Sequence, residues 1–230
     1  MTARPGNLIG RRERPVKPAL TREGIVATAV AVMRAEGLEE VTMRRLAREL
    51  DTGPASLYAY VSNTAELHAA VLDELLGALD LCQAEGGGDW RERLAGALTS
   101  YAKVLFEHPG LARSALTARP SGEHYLRLLE SLLALLDKGG VPPVQTAWGV
   151  DVLLRFATAT AAEHSTRGQS TDAEAEWDAL THALHRASEQ SHPHVHALAG
   201  SLLAGSPRAS LTWCFQMLIN GMAHTPVTGY

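Results

Sequence analysis

Histidine is the side chain best suited to move a proton or hold a metal near neutral pH, and this chain carries ten. Seven of them follow residue 160. His192-Pro193-His194-Val195-His196 would align imidazoles along an extended segment, and His182 and His185 stand one helical turn apart. No cysteine or close carboxylate pair completes either group into a metal site. Both therefore read as polar surface, the first as a loop between two helices. Glu107-His108 and Glu163-His164 are sequence neighbours that would point to different helix faces, so they cannot act as acid–base pairs. There is no GxSxG, no glycine-rich phosphate loop, no HExxH and no CxxC. Cys82 and Cys214 stand alone and read as reduced thiols of a cytoplasmic protein. The expectation is a protein that is not an enzyme and uses no metal or cofactor.

A different chemistry is written in ARELDTGPASLYAYV (47–61). A helix-forming run stops at Asp51-Thr52-Gly53-Pro54, and a very short second run begins at once. Ala55, Ser56 and Ala59 are small, so the backbone carrying them can approach a groove closely. Tyr58 and Tyr60 offer hydroxyls to phosphates and ring faces to thymine methyls.

These residues need elements to hold them. Thr21 is a plausible N-cap for a first helix whose Ile25, Ala29, Val32 and Met33 share one apolar face, with Gly37 as its C′ residue. Thr42 caps a second helix that buries Met43, Leu46, Ala47 and Leu50 and turns Arg44, Arg45 and Arg48 outward. Gly53 supplies a tight turn, and Pro54 suits the first turn of a third helix. Leu57 and Val61 face the core there, leaving Ser56, Ala59 and Tyr60 outside. Three short helices joined in this way predict a helix-turn-helix unit.

Charge follows the same division. Net charge is −4, but residues 1–60 carry 10 Lys and Arg against 7 Asp and Glu, and the remainder is acidic. A basic head on an acidic body implies that the head meets an anion. The start, RPGNLIGRRERPVKP (4–18), is basic and proline-broken and reads as a flexible arm over 1–20 that can track phosphates. Alanine and leucine dominate and aromatics make up 5%, which points to an all-α fold. The longest apolar stretch, near 128–136, is too short to span a bilayer, and the N-terminus has no secretory apolar region.

VTMRRLARELDTGPASLYAYVSNTAEL (41–67) closely resembles the DNA-binding segment of the tetracycline-repressor (TetR) family. The marks are T-x-R-x-L-A-x-x-L, the glycine-containing turn, Leu57-Tyr58 and an aromatic-Val-x-Asn step. DWRERL (89–94), YAKVLFEHPGLA (101–112) and ALTARPSGEHYLRLLESLLALLDKGG (115–140) resemble the ligand-binding body of the tetracycline-repressor branch. The resemblance implies an all-helical homodimeric repressor with a head over 21–66 and a body over 67–225, which leaves a palindromic operator in double-stranded DNA when a small molecule enters the body. It places Thr42, Arg44, Arg45, Thr52, Gly53, Ala55, Ser56, Tyr58, Tyr60 and Thr64 at the DNA. One departure is Ser62-Asn63-Thr64, where the family usually has phosphate-gripping lysines. Thr64 can cap the fourth helix, whose amides can still hold a phosphate.

The family's drug–magnesium positions read Asp80, Ala97, Tyr101, Ala115, Arg119 and Ser131 here. Ala115 cannot replace an imidazole ligand, and Ala97 and Ser131 remove amides, so a drier pocket without magnesium-tetracycline is expected. Its expected lining is Asp80, Tyr101, Arg119, Leu128, Ser131, Leu132, Trp148 and Phe156, for a largely apolar effector. Residues 66–83 would carry the signal to the head. The helices over 143–167 and 207–222 are apolar on more than one face, which fits burial against a second copy. The competing reading, motivated by the missing lysines, is a ligand-binding or partner-docking module that has lost specific DNA binding.

Overall fold

Every regular element among the described residues is a helix. The computed structural model describes residues 19–81, 87–204 and 206–228, so the arm over 1–18, Cys82 and the end of the expected 66–83 connector lie outside the described residues. The helices are α1 (Arg22–Glu36), α2 (Met43–Glu49), α3 (Pro54–Leu57), α4 (Thr64–Leu76), α5 (Trp90–Glu107), α6 (Pro109–Ala115), α7 (Glu123–Lys138), α8 (Pro143–Gln169), α9 (Ala173–Arg186), α10 (Pro193–Leu203) and α11 (Pro207–His224). A 3-10 turn over Leu38–Glu40 links α1 to α2.

The caps legible in the sequence form. Thr21 accepts from the Gly24 amide at 3.0 Å, and Thr42 accepts from the Arg45 amide at 3.1 Å. Gly37 ends α1 at φ 98° and donates to the Met33 carbonyl. Ile25, Ala29, Val32 and Met33 are buried, as are Met43, Leu46 and Ala47, while Leu50 is only partly covered.

Three local expectations differ. The left-handed residue of the α2–α3 turn is Asp51, at φ 47°, whereas Gly53 is extended at φ −83°, ψ 145°. Asn63, not Thr64, caps α4, accepting from the Glu66 amide at 2.9 Å, while the Glu66 carboxylate accepts from the Ser62 amide at 2.8 Å. That amide bond and nearby Arg22 hold the Glu66 carboxyl below the usual carboxylate range. His194 and His196 are not in a loop: Pro193 starts α10, and both lie in its first turn.

One hydrophobic core runs from the head into the body. Its bridge is α4, which packs on α1 and also on α6 and α7. Leu67, Val71, Leu72 and Leu76 of α4 are almost fully buried. The helix ends at Leu76 with Gly77 as its C-cap, so it is shorter than the expected connector. Deeper in the body α8 lies against α5, α6, α7 and α11. The α9–α10 pair packs chiefly on itself, and Ala199 is the buried residue of the two helices.

Candidate nucleic-acid interface and effector cavity

The α3 segment is a single helical turn extended by bonds from the Tyr60 and Val61 amides to the Leu57 carbonyl. Leu57 and Val61 are anchored in the core at 0% and 1% exposure, while Tyr58 and Tyr60 stand out at 54% and 39%. Ala55, Ser56 and Ala59 share the exposed side with Gly53, and Thr52 is half-buried. On α2, Thr42 and Arg44 are exposed. Arg45 is different: its guanidinium meets Glu36 at 2.5 Å and Glu49 at 3.0 Å, which ties α2 back to the end of α1. Thr64 is exposed beside the capping Asn63.

The expected effector lining does not converge. Leu128 and Leu132 are packed in the core at 0% exposure. Ser131 is turned back to the Arg127 carbonyl at 2.9 Å. Phe156 meets Phe215 edge to face. Trp148 lines an open apolar groove between α8 and α11, of ≈ 320 Å³, with Val152, Met217 and Met222. Asp80 is exposed beyond the end of α4.

Tyr101 and Arg119 do come together, in a narrow cavity of ≈ 50 Å³ enclosed by α5, the 116–120 loop, α7 and α8. Ala115, Leu116, Pro120, Tyr125, Leu154, Arg155 and Thr158 complete it. Thr158 gives its hydroxyl proton to the Leu154 carbonyl at 2.8 Å, so the Tyr101 hydroxyl is the donor in its 2.9 Å bond to Thr158. Burial pushes the Tyr101 phenol up to about 12 and the Tyr125 phenol in the same direction, so both are neutral donors at pH 7. At the mouth Arg119 donates to Asp151 at 2.6 Å, and Arg155, one turn along α8, pairs with the other oxygen of Asp151. Hydrogen bonding from Arg119 holds the Asp151 carboxyl below its usual range.

Sequence reading missed Tyr125, Arg155, Asp151 and Thr158. The spacing of Asp151, Arg155 and Thr158 at i, i+4 and i+7 along α8 was an available signal that they share a face.

The 116–120 loop runs directly into α7, whose N-cap is Gly122 at φ −86°, ψ −178°. A glycine has no side chain to cap with. Instead Asp73 of α4 reaches across and accepts from the Tyr125 amide at 2.9 Å. A Cβ on Gly122 would lie 2.1 Å from Asp73 Oδ2, so the glycine makes room for that carboxylate.

Three histidines of 182–196, His182, His192 and His196, make local bonds. The Nδ1 atoms of His182 and His196 lie on the Asp178 and Ala187 carbonyls at 2.8 and 2.9 Å. Among the described residues no cluster of three or more His, Cys, Asp or Glu could hold a metal ion.

Comparison with known proteins finds two family models in this chain. Residues 25–71 match the family model of bacterial regulatory proteins of the tetR family, and residues 83–225 match the tetracyclin repressor-like C-terminal domain. A candidate transcription regulator from Streptomyces coelicolor is 60% identical, with 93% of this chain and 100% of that one covered and a TM-score of 0.78. ActR from the same organism, in complex with actinorhodin, is 34% identical over 89% of this chain and 96% of its own, with a TM-score of 0.77. An HTH-type transcriptional regulator of Saccharopolyspora erythraea is 32% identical over 96% of this chain and 93% of its own. With a helix-turn-helix head, an all-helical body and family matches across both, the chain belongs to the tetracycline-repressor family and is a DNA-binding transcriptional regulator.

Proposed function

We propose that the chain acts as a homodimeric repressor that leaves a palindromic operator when a small molecule enters the body. The head is residues 21–66 and the body residues 67–225. The exposed face of residues 53–60, fixed from behind by Leu57 and Val61, carries this reading. Tyr58, Tyr60, Ser56 and Ala55 meet the major groove, and Thr42, Arg44, Thr52 and Thr64 meet the flanking backbone. Gly53 supports it further. Its φ is ordinary, and an added Cβ would find no atom within 4 Å. Its smallness therefore serves a surface outside the chain. Arg45 contributes by holding α2 against α1, through Glu36, rather than by touching DNA.

The second copy is inferred from large apolar side chains left in water on the last helices: Trp148 and Val152 on α8, Trp213 and Met217 on α11, and Leu198 and Leu202 on α10. The effector site is the Tyr101–Arg119 cavity. At ≈ 50 Å³ it is small, and a drug-sized ligand needs roughly 300 Å³ or more, so binding must widen it.

One observation favours the alternative, a ligand-binding or docking module without specific DNA binding. The Glu66 carboxylate already occupies the Ser62 amide at the start of α4, where a phosphate would otherwise sit. Selection from fragmented genomic DNA of the source, at near-physiological salt, separates the two. Retention of a few palindromes with half-sites a whole number of helical turns apart supports the repressor. Sequence-blind retention, or none, refutes it and leaves the docking module.

A further inference from the structure

The mouth of the effector cavity has an unusual charge arrangement. Two guanidinium groups, Arg119 on the loop and Arg155 on α8, share the single carboxylate of Asp151. The three side chains leave one positive charge in excess. Below them the cavity is ringed by Tyr101, Tyr125, Leu154 and Pro120 and ends on the Tyr101–Thr158 hydrogen bond. An apolar, ring-lined slot thus opens under a bidentate anion site that a residue of the chain already fills.

We propose that this cavity takes an aromatic acid, whose flat rings lie against Tyr101, Tyr125 and Leu154 and whose carboxylate takes the place of Asp151 on Arg119 and Arg155. The inference rests on the reading of the body as the effector site and narrows it to one chemical class.

Two features of the geometry argue for an acid over a neutral or basic ligand. The Arg119–Asp151 pair joins the 116–120 loop to α8, so it is also the latch that keeps the cavity shut. An anion that competes for Arg119 releases the latch as it binds, which makes entry and opening one event. A neutral ring would have to force the loop aside and leave the latch's charges to find new partners. A cation would meet two arginines. The latch lies at the surface, with Arg119 and Arg155 both well exposed. Ion pairs of that kind are weak and solvent-screened, so a small carboxylate can displace this one. Planar, bidentate recognition of carboxylates is also the geometry that a guanidinium favours.

The test uses the full chain and a panel of one- to four-ring aromatic carboxylic acids, including 2-naphthoic and anthracene-2-carboxylic acid, each paired with its methyl ester. Binding is read by titration calorimetry and by thermal shift. At least one acid should bind about threefold or more tightly than its ester, the size of effect that a solvent-screened ion pair gives. Arg155→Gln and Arg119→Gln should each remove that advantage, and Arg119→Gln, which also breaks the latch, should raise ester binding. Asp151→Asn should strengthen acid binding, because the internal competitor loses its charge. Equal binding of acids and esters, indifference to both arginine variants, or no binding across the panel would overturn the assignment. The palindrome selection is independent of all these titrations. A retained operator with a failed panel sinks only the aromatic acid, whereas a missing operator sinks the repressor reading itself.

Discussion

The Asp73–Gly122 contact allows a quantitative test of how the body is joined to α4. Asp73→Ala removes the acceptor for the Tyr125 amide and leaves the start of α7 without a capping side chain. Loss of an N-cap costs ~1 kcal/mol, and loss of the favourable carboxylate–helix dipole adds ~0.5 kcal/mol. Gly122→Ser alone places a Cβ 2.1 Å from Asp73 Oδ2, and overpacking of that kind costs ~1–3 kcal/mol. The double variant relieves both problems. The clash disappears with the carboxylate, and the extended backbone at residue 122 suits a serine N-cap. It should lie within ~1 kcal/mol of wild type, giving a coupling energy of at least ~1.5 kcal/mol between residues 49 positions apart. Urea unfolding followed by circular dichroism, at one fixed protein concentration, measures all four corners of the cycle. If the double variant loses about the sum of the two single losses, Asp73 is not the cap of α7 and the reasoning fails.

Four further outcomes are expected. Tyr60→Ala should weaken specific operator binding by ~1–3 kcal/mol in fluorescence anisotropy with no change in melting temperature, and wild-type affinity would refute the groove assignment. Deleting residues 1–18, with its Arg4, Arg11, Arg12, Arg14 and Lys17, should lower affinity and flatten the dependence of log K on log salt, and an unchanged slope would make the arm a spectator. Trp213→Glu, at an α11 residue 63% exposed, should yield a monomer in sedimentation at micromolar concentration, and a persistent dimer would move the interface elsewhere. Burial holds the half-buried imidazoles of His68 and His108 below the ordinary histidine value, so the unfolded chain takes up protons first as pH falls. Stability should therefore be complete above about pH 7 and decline as pH drops through ~6.5, and a His68→Gln/His108→Gln variant that keeps the same slope in urea titrations between about pH 7.5 and 5.5 would refute this.

The head was legible because its signals are local. Thr21, Thr42, Gly37 and Pro54 act within three or four residues of themselves, and Leu57 and Val61 are one turn apart. In the α2–α3 connection the tight turn was given to Gly53 by residue type, whereas Asp51 is the residue that takes the positive φ. The body was legible as helices but not as a site. Its cavity is assembled from a loop at 116–120, a helix at 101 and another at 151–158, and periodicity says nothing about which of these meet. Leu128 and Leu132 lie on the core face of α7 and so read as lining, but that face is closed by packing. The His192–His196 run was taken for a loop because its polarity outweighed Pro193, which in fact opens α10. Asp73 had no local signal except a negative one, a helix that begins at a glycine with nothing of its own to cap with.

That missing cap bears on how a ligand is felt at the DNA. The latch and the trans-cap sit at the two ends of one short segment: Arg119 ties it to α8 through Asp151, and at the start of α7 the Tyr125 amide ties it to α4 through Asp73, in the space that Gly122 leaves. A ligand that frees Arg119 loosens the first end, and the second transmits whatever the segment then does. Because Asp73 accepts from the α7 backbone and fills the space that a Cβ would take, α7 cannot shift its N-terminus without either breaking that bond or moving α4 with it. Breaking it leaves a helix end uncapped, whereas moving α4 displaces the helix on which the head is built. The double variant separates these routes, since its serine caps α7 from within and leaves α4 unattached. An effector should then still bind, but its power to lower operator affinity should fall. If release from the operator is as complete as in wild type, the signal reaches α4 by side-chain packing alone.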